Sequence, residues 1–395
     1  MGATMNNKVV KKISSILIVI IMCMTPLALT GSAFAAVNIQ DLNHQINIPT
    51  NKTWTIKLNN KLHPNLINNL STYVKVFSPN GGELKVGLSY NATNKDIKIT
   101  PPSGGYSTST TYSIIVKSGL YDSEGKYIES PAVKEFSTVP SNHNVSTLGT
   151  MSTYSVGTTV DNFANIQYNK KPPIFRALYS GDARKTDVVQ YLEPSRYKND
   201  KNGIYMFMKL NFIQDISVST LNSVLVGKGT LSNMGQAFYE ACKTNDVNQA
   251  YAVAHAILET GNGTSALAKG VNYKKEDGTT VKVYNFFGIC AFDNSPVSSG
   301  AEAAYKNGWT TPEAAIKGGI KWIAENYIHS DKNAKNPRPA QDTIYEMRWN
   351  VHNYNSPWHQ YATDIVWAYK QVTNIKLIMD KHPNVKPQFE IPVYK

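Results

Sequence analysis

Hydrophobic periodicity changes once along this chain, and that change constrains its fold more than any other feature. Between about residues 50 and 138 the apolar side chains alternate: Trp54, Ile56 and Leu58, then Val74 and Val76, Leu84, Val86 and Leu88, Ile97 and Ile99, and Tyr112, Ile114 and Val116. A period of two puts each set on one face of a strand. Turn residues punctuate these runs, at Ser78-Pro79-Asn80-Gly81-Gly82, Pro101-Pro102-Ser103-Gly104-Gly105 and Asp122-Ser123-Glu124-Gly125. About seven short strands in about 100 residues predict an antiparallel sandwich. From about Asp161 onward the spacing is helical.

In the helical part, Asp246 with Gln249 three residues later reads as a capping box. Tyr251, Ala254 and Leu258 follow on one face, with Val253 and Ile257 beside them, until Gly261-Asn262-Gly263 ends the helix. Thr311 and Pro312 open a second helix carrying Ile316, Ile320, Ile323 and Tyr327, in which Gly318-Gly319 permits close approach by a neighbour. A third helix starts near Asp364 and carries Ile365, Ala368 and Val372. Between the first two lies the β-rich stretch TTVKVYNFFGI, after the hairpin signal Glu276-Asp277-Gly278. The C-terminal part is therefore expected to be mainly α, with a small β-lobe inserted behind one helix. Residues 140–160, dense in Ser, Thr, Asn and Gly and without a period, read as a linker. The expected organisation is a leader over 1–36, a β-sandwich over 37–139, the linker, and a helical domain over 161–395.

The leader is argued from three features. Lys8, Lys11 and Lys12 form a basic region, residues 16–24 form an apolar core, and Ala33-Phe34-Ala35 is a cleavage site. Pro26, Gly31 and Ser32 follow too soon for a membrane span of about 20 residues. Export with removal of the leader takes the formal charge from +12 to +9. It leaves Cys242 and Cys290, which lie in no disulfide framework and read as two free thiols. A basic exported chain points to anionic surface polymers rather than nucleic acid, with no membrane span after cleavage and a monomeric state.

Most catalytic chemistries find no residues here. The eight histidines are scattered, and no H-E-x-x-H or Gly-x-Ser-x-Gly pattern occurs. His255 and Glu259, at i and i+4, form a helical pair that lacks a third metal ligand. Glu259 closes the uncharged run 250–258 just before the helix breaks. A carboxyl group at a helix C-terminus, partly buried, is disfavoured in its ionised form, which is what a general acid for a glycosidic oxygen needs. An exposed helix-end glutamate is the bland alternative.

Five motifs in order extend this argument: AHAILETGNGTSALAKG, VYNFFGICAFD, AYKNGWTTPEAAIKGGIKWIAENYI, TIYEMRWN and HQYATDIVWAY. From about Leu221 to Thr373, and more weakly back to Asp161, the chain resembles the glucosaminidase family of Gram-positive autolysins, glycoside hydrolase family 73. Residues 51–139, through PPSGGYSTSTTYSIIV and GLYDSEGKYIESPAVKEFST, resemble bacterial Ig-like modules. The resemblance implies a lysozyme-like domain that hydrolyses the β-1,4 bond between N-acetylglucosamine and N-acetylmuramic acid in peptidoglycan glycan strands, outside the cell on the wall. No metal or organic cofactor is implied.

By this resemblance Glu259 is the catalytic acid, and Tyr361 lines the cleft, where its hydroxyl could orient water or the substrate acetamido group. Tyr284, Asn285, Phe286, Phe287 and Gly288 are expected to form a floor for a sugar ring, with a core role as the alternative for the two phenylalanines. Arg348 and Trp349 are structural or at the cleft edge. The second catalytic group stays open among Glu276 and Asp277 on the hairpin, Asp293, and the substrate's own acetamido group. Cys290 stands where family members usually carry glycine. A lytic transglycosylase or muramidase and a non-catalytic wall adhesin are the alternatives to a glucosaminidase.

Overall fold

The computed structural model describes residues 40–78, 82–128, 131–170, 174–175, 181–292 and 295–395. The leader and Asp293 lie outside the described residues. Among the described residues no helix is long and apolar enough to cross a membrane. The chain divides into two compact units. One combines the described part of residues 1–142 with 164–196 and 364–366; the other holds 143–163, 197–363 and 367–395.

The first unit is a two-sheet sandwich. Its strands are β1 (Gln40–Ile48), β2 (Trp54–Lys57), β3 (Val74–Phe77), β4 (Gly87–Asn91), β5 (Asp96–Thr100), β6 (Thr111–Val116) and β7 (Ala132–Thr138). One sheet has the order β1-β7-β6-β3 and the other β2-β5-β4. All pairings are antiparallel except β1 with β7, which run parallel. The alternating residues expected from sequence face each other across the two sheets. Val76, Ile114 and Phe136 from one sheet meet Ile97 and Ile99 from the other, with the Trp54 ring tilted against Phe136 at 4.8 Å. Helix Lys185–Leu192 also belongs to this unit, and its buried Asp187 bonds His44 of β1 and pairs with Arg184.

The second unit is built around a helix buried on every side. Its helices are α1 (Val218–Leu225), α2 (Gly235–Asn245), α3 (Gln249–Glu259), α4 (Pro296–Lys306), α5 (Pro312–Ile323), α6 (Ile344–Trp349) and α7 (Trp367–Met379). Every residue of α3 from Gln249 to Ile257 is buried, because the run contains no Asp, Glu, Lys or Arg and apolar side chains predominate around its circumference. It packs along α7, α2 and α1. Thr311 caps α5 through a hydrogen bond from Ala314, with Pro312 in the first turn, as expected. The pair Gly318-Gly319 is a steric necessity: a Cβ on Gly318 would stand 2.0 Å from Trp309 Nε1, and one on Gly319 2.4 Å from the Phe287 ring. The β-lobe is the antiparallel hairpin Val271–Lys274 with Thr280–Val283.

Three sequence expectations need correction. Asn248, not Asp246, caps α3, accepting from the Tyr251 amide. Asp246 is instead the left-handed residue (φ 50°) that ends α2, because α2 runs to Asn245 and leaves one residue fewer for the next cap. The third helix starts at Trp367 rather than Asp364. Within the stretch expected to be a linker, Thr150–Val156 forms a strand paired in parallel with the C-terminal strand Gln388–Tyr394. The Ser/Thr-rich segment has no apolar period of its own, and its order comes from a partner strand more than 200 residues away in the chain.

Candidate active site

Glu259 stands in the last turn of α3, where a turn of unusual density stops the helix. Thr260 caps it, accepting from the Gly263 amide at 2.7 Å and donating to the Ala256 carbonyl at 2.5 Å. Gly261, Asn262 and Gly263 then take φ of 54°, 64° and 74°. Three successive left-handed residues cannot continue a right-handed helix. A Cβ on Gly263 would stand 2.0 Å from the Lys228 carbonyl, so this turn can nest against the neighbouring one only as glycine.

The two carboxylate oxygens of Glu259 have different surroundings. Oε1 turns inward, accepting from the Trp367 indole N–H at 2.8 Å and lying 3.6 Å from His255 Nε2. Oε2 faces Gly288, where a Cβ would come within 2.9 Å of it. Glu259 also lines a cleft of about 280 Å³ with Ser265, Leu267, Asn285, Gly288 and Val297. A second cavity of about 460 Å³ continues past the shared Pro296 and Val297 along the first hairpin strand. The Glu259 side chain retains 24% of its surface. One oxygen is held by a donor and the other is left toward open space.

Tyr361 lies in the same group of rings. It stacks on Trp367 at 5.0 Å and 20°, and meets His255 edge-on at 4.6 Å. Its hydroxyl donates to the Phe287 carbonyl at 2.7 Å. Burial pushes this hydroxyl well above its ordinary titration range, with Tyr251 and Glu259 adding to the shift. Arg348 braces the loop that carries Tyr361: its guanidinium lies 4.0 Å over the Trp349 ring and bonds the Thr363 carbonyl at 3.1 Å. Both Arg348 and Trp349 are buried, so of the two roles expected for them the structural one holds.

The expected sugar floor is only partly a surface. Phe286 and Phe287 are fully buried and belong to the core. Their backbone forms a tight loop rather than a strand, and the Gly319 gap accepts the Phe287 ring. Asn285 lines the cleft, yet its amide is engaged in shaping that loop. It donates to the Ile289 carbonyl at 2.8 Å and accepts from the Phe287 and Ile289 amides at 3.3 Å each. Tyr284 keeps partial exposure beneath Lys282, and Gly288 reaches the cleft.

On the hairpin tip, Asp277 accepts from the Thr279 amide and hydroxyl, bonds that hold its carboxyl below the usual range, aided by Lys275. That is turn chemistry. Glu276 beside it is exposed. Neither carboxylate bonds Glu259. Cys242 is buried and Cys290 exposed, both as free thiols. Cys290 has φ 56°, a left-handed conformation that explains why glycine suits its position.

Sequence reasoning passed over two residues. Trp367 carries no sequence signal that marks it for the site, and its N–H is what makes it a partner of Glu259. His255 was weighed only as a metal ligand, and it lies in reach of Glu259 with no third ligand among the described residues. The acidic trio that clusters closely enough for an ion, Asp342, Glu346 and Glu390, already has Lys209 against two of its members. In the first unit, Ser137, His44 and Asp187 are aligned like a nucleophile, base and orienter, but Ser137 is fully buried between strands. That row is a packing device.

Comparison with known proteins agrees with the geometry. The glucosaminidase model, described as mannosyl-glycoprotein endo-beta-N-acetylglucosaminidase, matches residues 235–379, and a bacterial Ig-like domain model matches residues 32–138. A beta-N-acetylglucosaminidase of Bacillus subtilis (strain 168) is 43% identical over 215 residues, 54% of this chain and 23% of the relative, so this chain spans about a quarter of that protein. The structure of S. aureus Autolysin E in complex with the muropeptide NAM-L-ALA-D-iGLU has a TM-score of 0.50 and 34% identity, covering 61% of this chain and 98% of that one. A catalytic mutant of the same autolysin in complex with the disaccharide NAG-NAM gives 0.50 and 33%, over 61% and 99%. With this identity maintained over nearly the whole of those solved chains, the protein belongs to the glucosaminidase family of Gram-positive autolysins and carries a bacterial Ig-like domain ahead of its glucosaminidase domain.

Proposed function

We propose that this chain is an exported peptidoglycan hydrolase, an endo-β-N-acetylglucosaminidase that cleaves the β-1,4 bond between N-acetylglucosamine and N-acetylmuramic acid, with Glu259 as general acid. The observation that carries the proposal is the asymmetry of the Glu259 carboxyl group. Because Oε1 accepts the Trp367 N–H, the transferable proton belongs on Oε2, the oxygen beside Gly288 at the cleft. From there it passes to the glycosidic oxygen of a strand lying in the cleft. The anion left on the carboxylate is then stabilised by a donor already in place. A helix-end acid beside a small β-hairpin is the arrangement of a lysozyme-like domain, and the muropeptide and NAG-NAM complexes of Autolysin E support the same substrate class.

Tyr361 supports the Trp367 ring by stacking on it, and the candidates for the second charge are Glu276, Asp277, Asp293 and the substrate's acetamido group. The net charge of +9 that follows removal of the leader suits retention on anionic wall polymers, with the Ig-like domain as a spacer. Replacing Glu259 by Gln is expected to abolish muropeptide release from purified walls while wall binding persists. Reduced glucosamine ends on borohydride-treated products support the glucosaminidase. Anhydromuramic ends would show a transglycosylase, reduced muramic ends a muramidase, and lysis by the Gln variant would remove Glu259 from its role.

A further inference from the structure

His255 is the one buried group at this site with an unused polar atom and no part in the mechanism above. It is completely inaccessible to solvent, one turn before Glu259 on the same helix. Its Nδ1 lies 2.9 Å from the Tyr251 hydroxyl. Its Nε2 has no hydrogen-bond partner and lies 3.6 Å from Glu259 Oε1. A buried polar atom without a partner destabilises the fold, so a hydrophobic residue of similar size would be preferred there unless the nitrogen has a task. Three rings fix the imidazole: Tyr361 at 4.6 Å, Trp367 at 5.3 Å and Phe287 at 5.4 Å, all edge-on. The ring has no freedom to turn Nε2 elsewhere.

We infer that His255 is a positioning residue for the acid, carrying its proton on Nε2 and offering a hydrogen bond from that N–H to Glu259 Oε1 as negative charge develops there. The inference rests on the proposed role of Glu259. Tyr251 sets the tautomer by donating its O–H to Nδ1, a proton for which Met347 Sδ, 3.4 Å from the hydroxyl, is the rival acceptor. While Glu259 is protonated on Oε2, Oε1 needs only the indole N–H of Trp367. Once the proton has gone to the leaving oxygen, Oε1 carries charge and can accept twice, and closing the 3.6 Å gap by a few tenths of an ångström completes the second bond. No proton changes hands between His255 and Glu259, so the step adds a donor without altering the chemistry. The titratable groups facing the imidazole are Tyr251 and Glu259 on its own helix and Tyr361 across from it.

The test uses two amide substitutions in the full chain. A Gln amide reproduces Nε2, and an Asn amide reproduces Nδ1. His255→Gln is expected to keep kcat within about 5-fold of the parent, whereas His255→Asn loses about 10- to 100-fold in kcat with little change in KM, as removal of one bond to a charged group implies. The alkaline limb of the pH–rate profile should move upward by about half a pH unit or more in the Asn variant only, since a lost donor disfavours the carboxylate. Equal effects of both substitutions, or an unmoved limb, would show a merely structural role and overturn the inference. A ¹⁵N–¹H spectrum of the unaltered protein supplies a readout independent of variant folding: protonated Nε2 supports the assignment, and protonated Nδ1 overturns it. Activity surviving in Glu259→Gln would overturn the underlying reading instead.

Discussion

Trp367 donates its indole N–H to Glu259 Oε1 at 2.8 Å across 108 residues of sequence. This bond joins the first residue of α7 to the last residue of α3, and it makes the two carboxylate oxygens inequivalent. Trp367→Phe removes the donor and leaves a smaller aromatic ring in its place. We expect kcat on wall glycan to fall about 10-fold or more, as loss of a bond to a charged acceptor does, with KM nearly unchanged. Steady-state kinetics on defined glycan strands, with near-UV dichroism as the control for packing, checks this; a KM effect alone would place Trp367 in substrate binding.

Gly288→Ala is expected to impair both stability and activity. The residue sits at φ 65°, where an L side chain costs about 1–2 kcal/mol. The added methyl also stands 2.9 Å from Oε2, on the face proposed to deliver the proton. A drop of a few degrees in Tm should accompany a loss of activity larger than instability explains. Full activity at a temperature well below Tm would sink the assignment of Oε2 as the outward oxygen.

Cys290→Gly is expected to stabilise the protein by about 0.5–1 kcal/mol, since φ 56° suits glycine. Chemical denaturation measures this directly. In the native parent, a maleimide should label exposed Cys290 and spare Cys242, whose thiol burial pushes far above its ordinary range. Labelling of Cys242 at the same rate would contradict its burial.

A buried network in the second unit makes stability depend on pH. His352 bonds Glu346 at 3.0 Å, and this bond raises the imidazole above its ordinary value. Burial, with Glu346 nearby, pushes Asp342 up to about 6. Both groups hold protons more tightly folded than unfolded, so the stability they confer falls as pH rises. For Asp342 the loss runs from about pH 4 to 6. For His352 the contribution is complete below about pH 6.5 and is lost as pH climbs through the raised value. Replacing His352 by Gln should therefore cost about 1.5–3 kcal/mol at pH 6 and far less at pH 8.5. Denaturant titrations of parent and variant at the two pH values test it, and a pH-independent difference would refute the coupling.

Much of the fold was legible in sequence because its signals are local. Alternation placed Val76, Ile97, Ile99 and Ile114 in one sandwich core. Thr311 with Pro312 opened α5, and Asp277-Gly278 turned the β-lobe hairpin. Asp246 misled because one residue can satisfy the pattern for starting one helix and for ending another, and the boundary depends on where α2 stops. The strand at Thr150–Val156 was hidden because its partner lies at the other end of the chain.

For the site, sequence by itself determined that Glu259 closes an uncharged helix. The turn Thr260-Gly261-Asn262-Gly263 must break that helix whatever surrounds it. Only the tertiary structure decided which oxygen is held and which is open, that Phe286 and Phe287 face the core, and that Asn285 supports a loop. It alone brought Trp367, Tyr361 and His255 around the acid. The physical reason is that helix ends and turns follow from the φ preferences of neighbouring residues, whereas donors and rings from three separate segments meet only through packing, which no local pattern encodes.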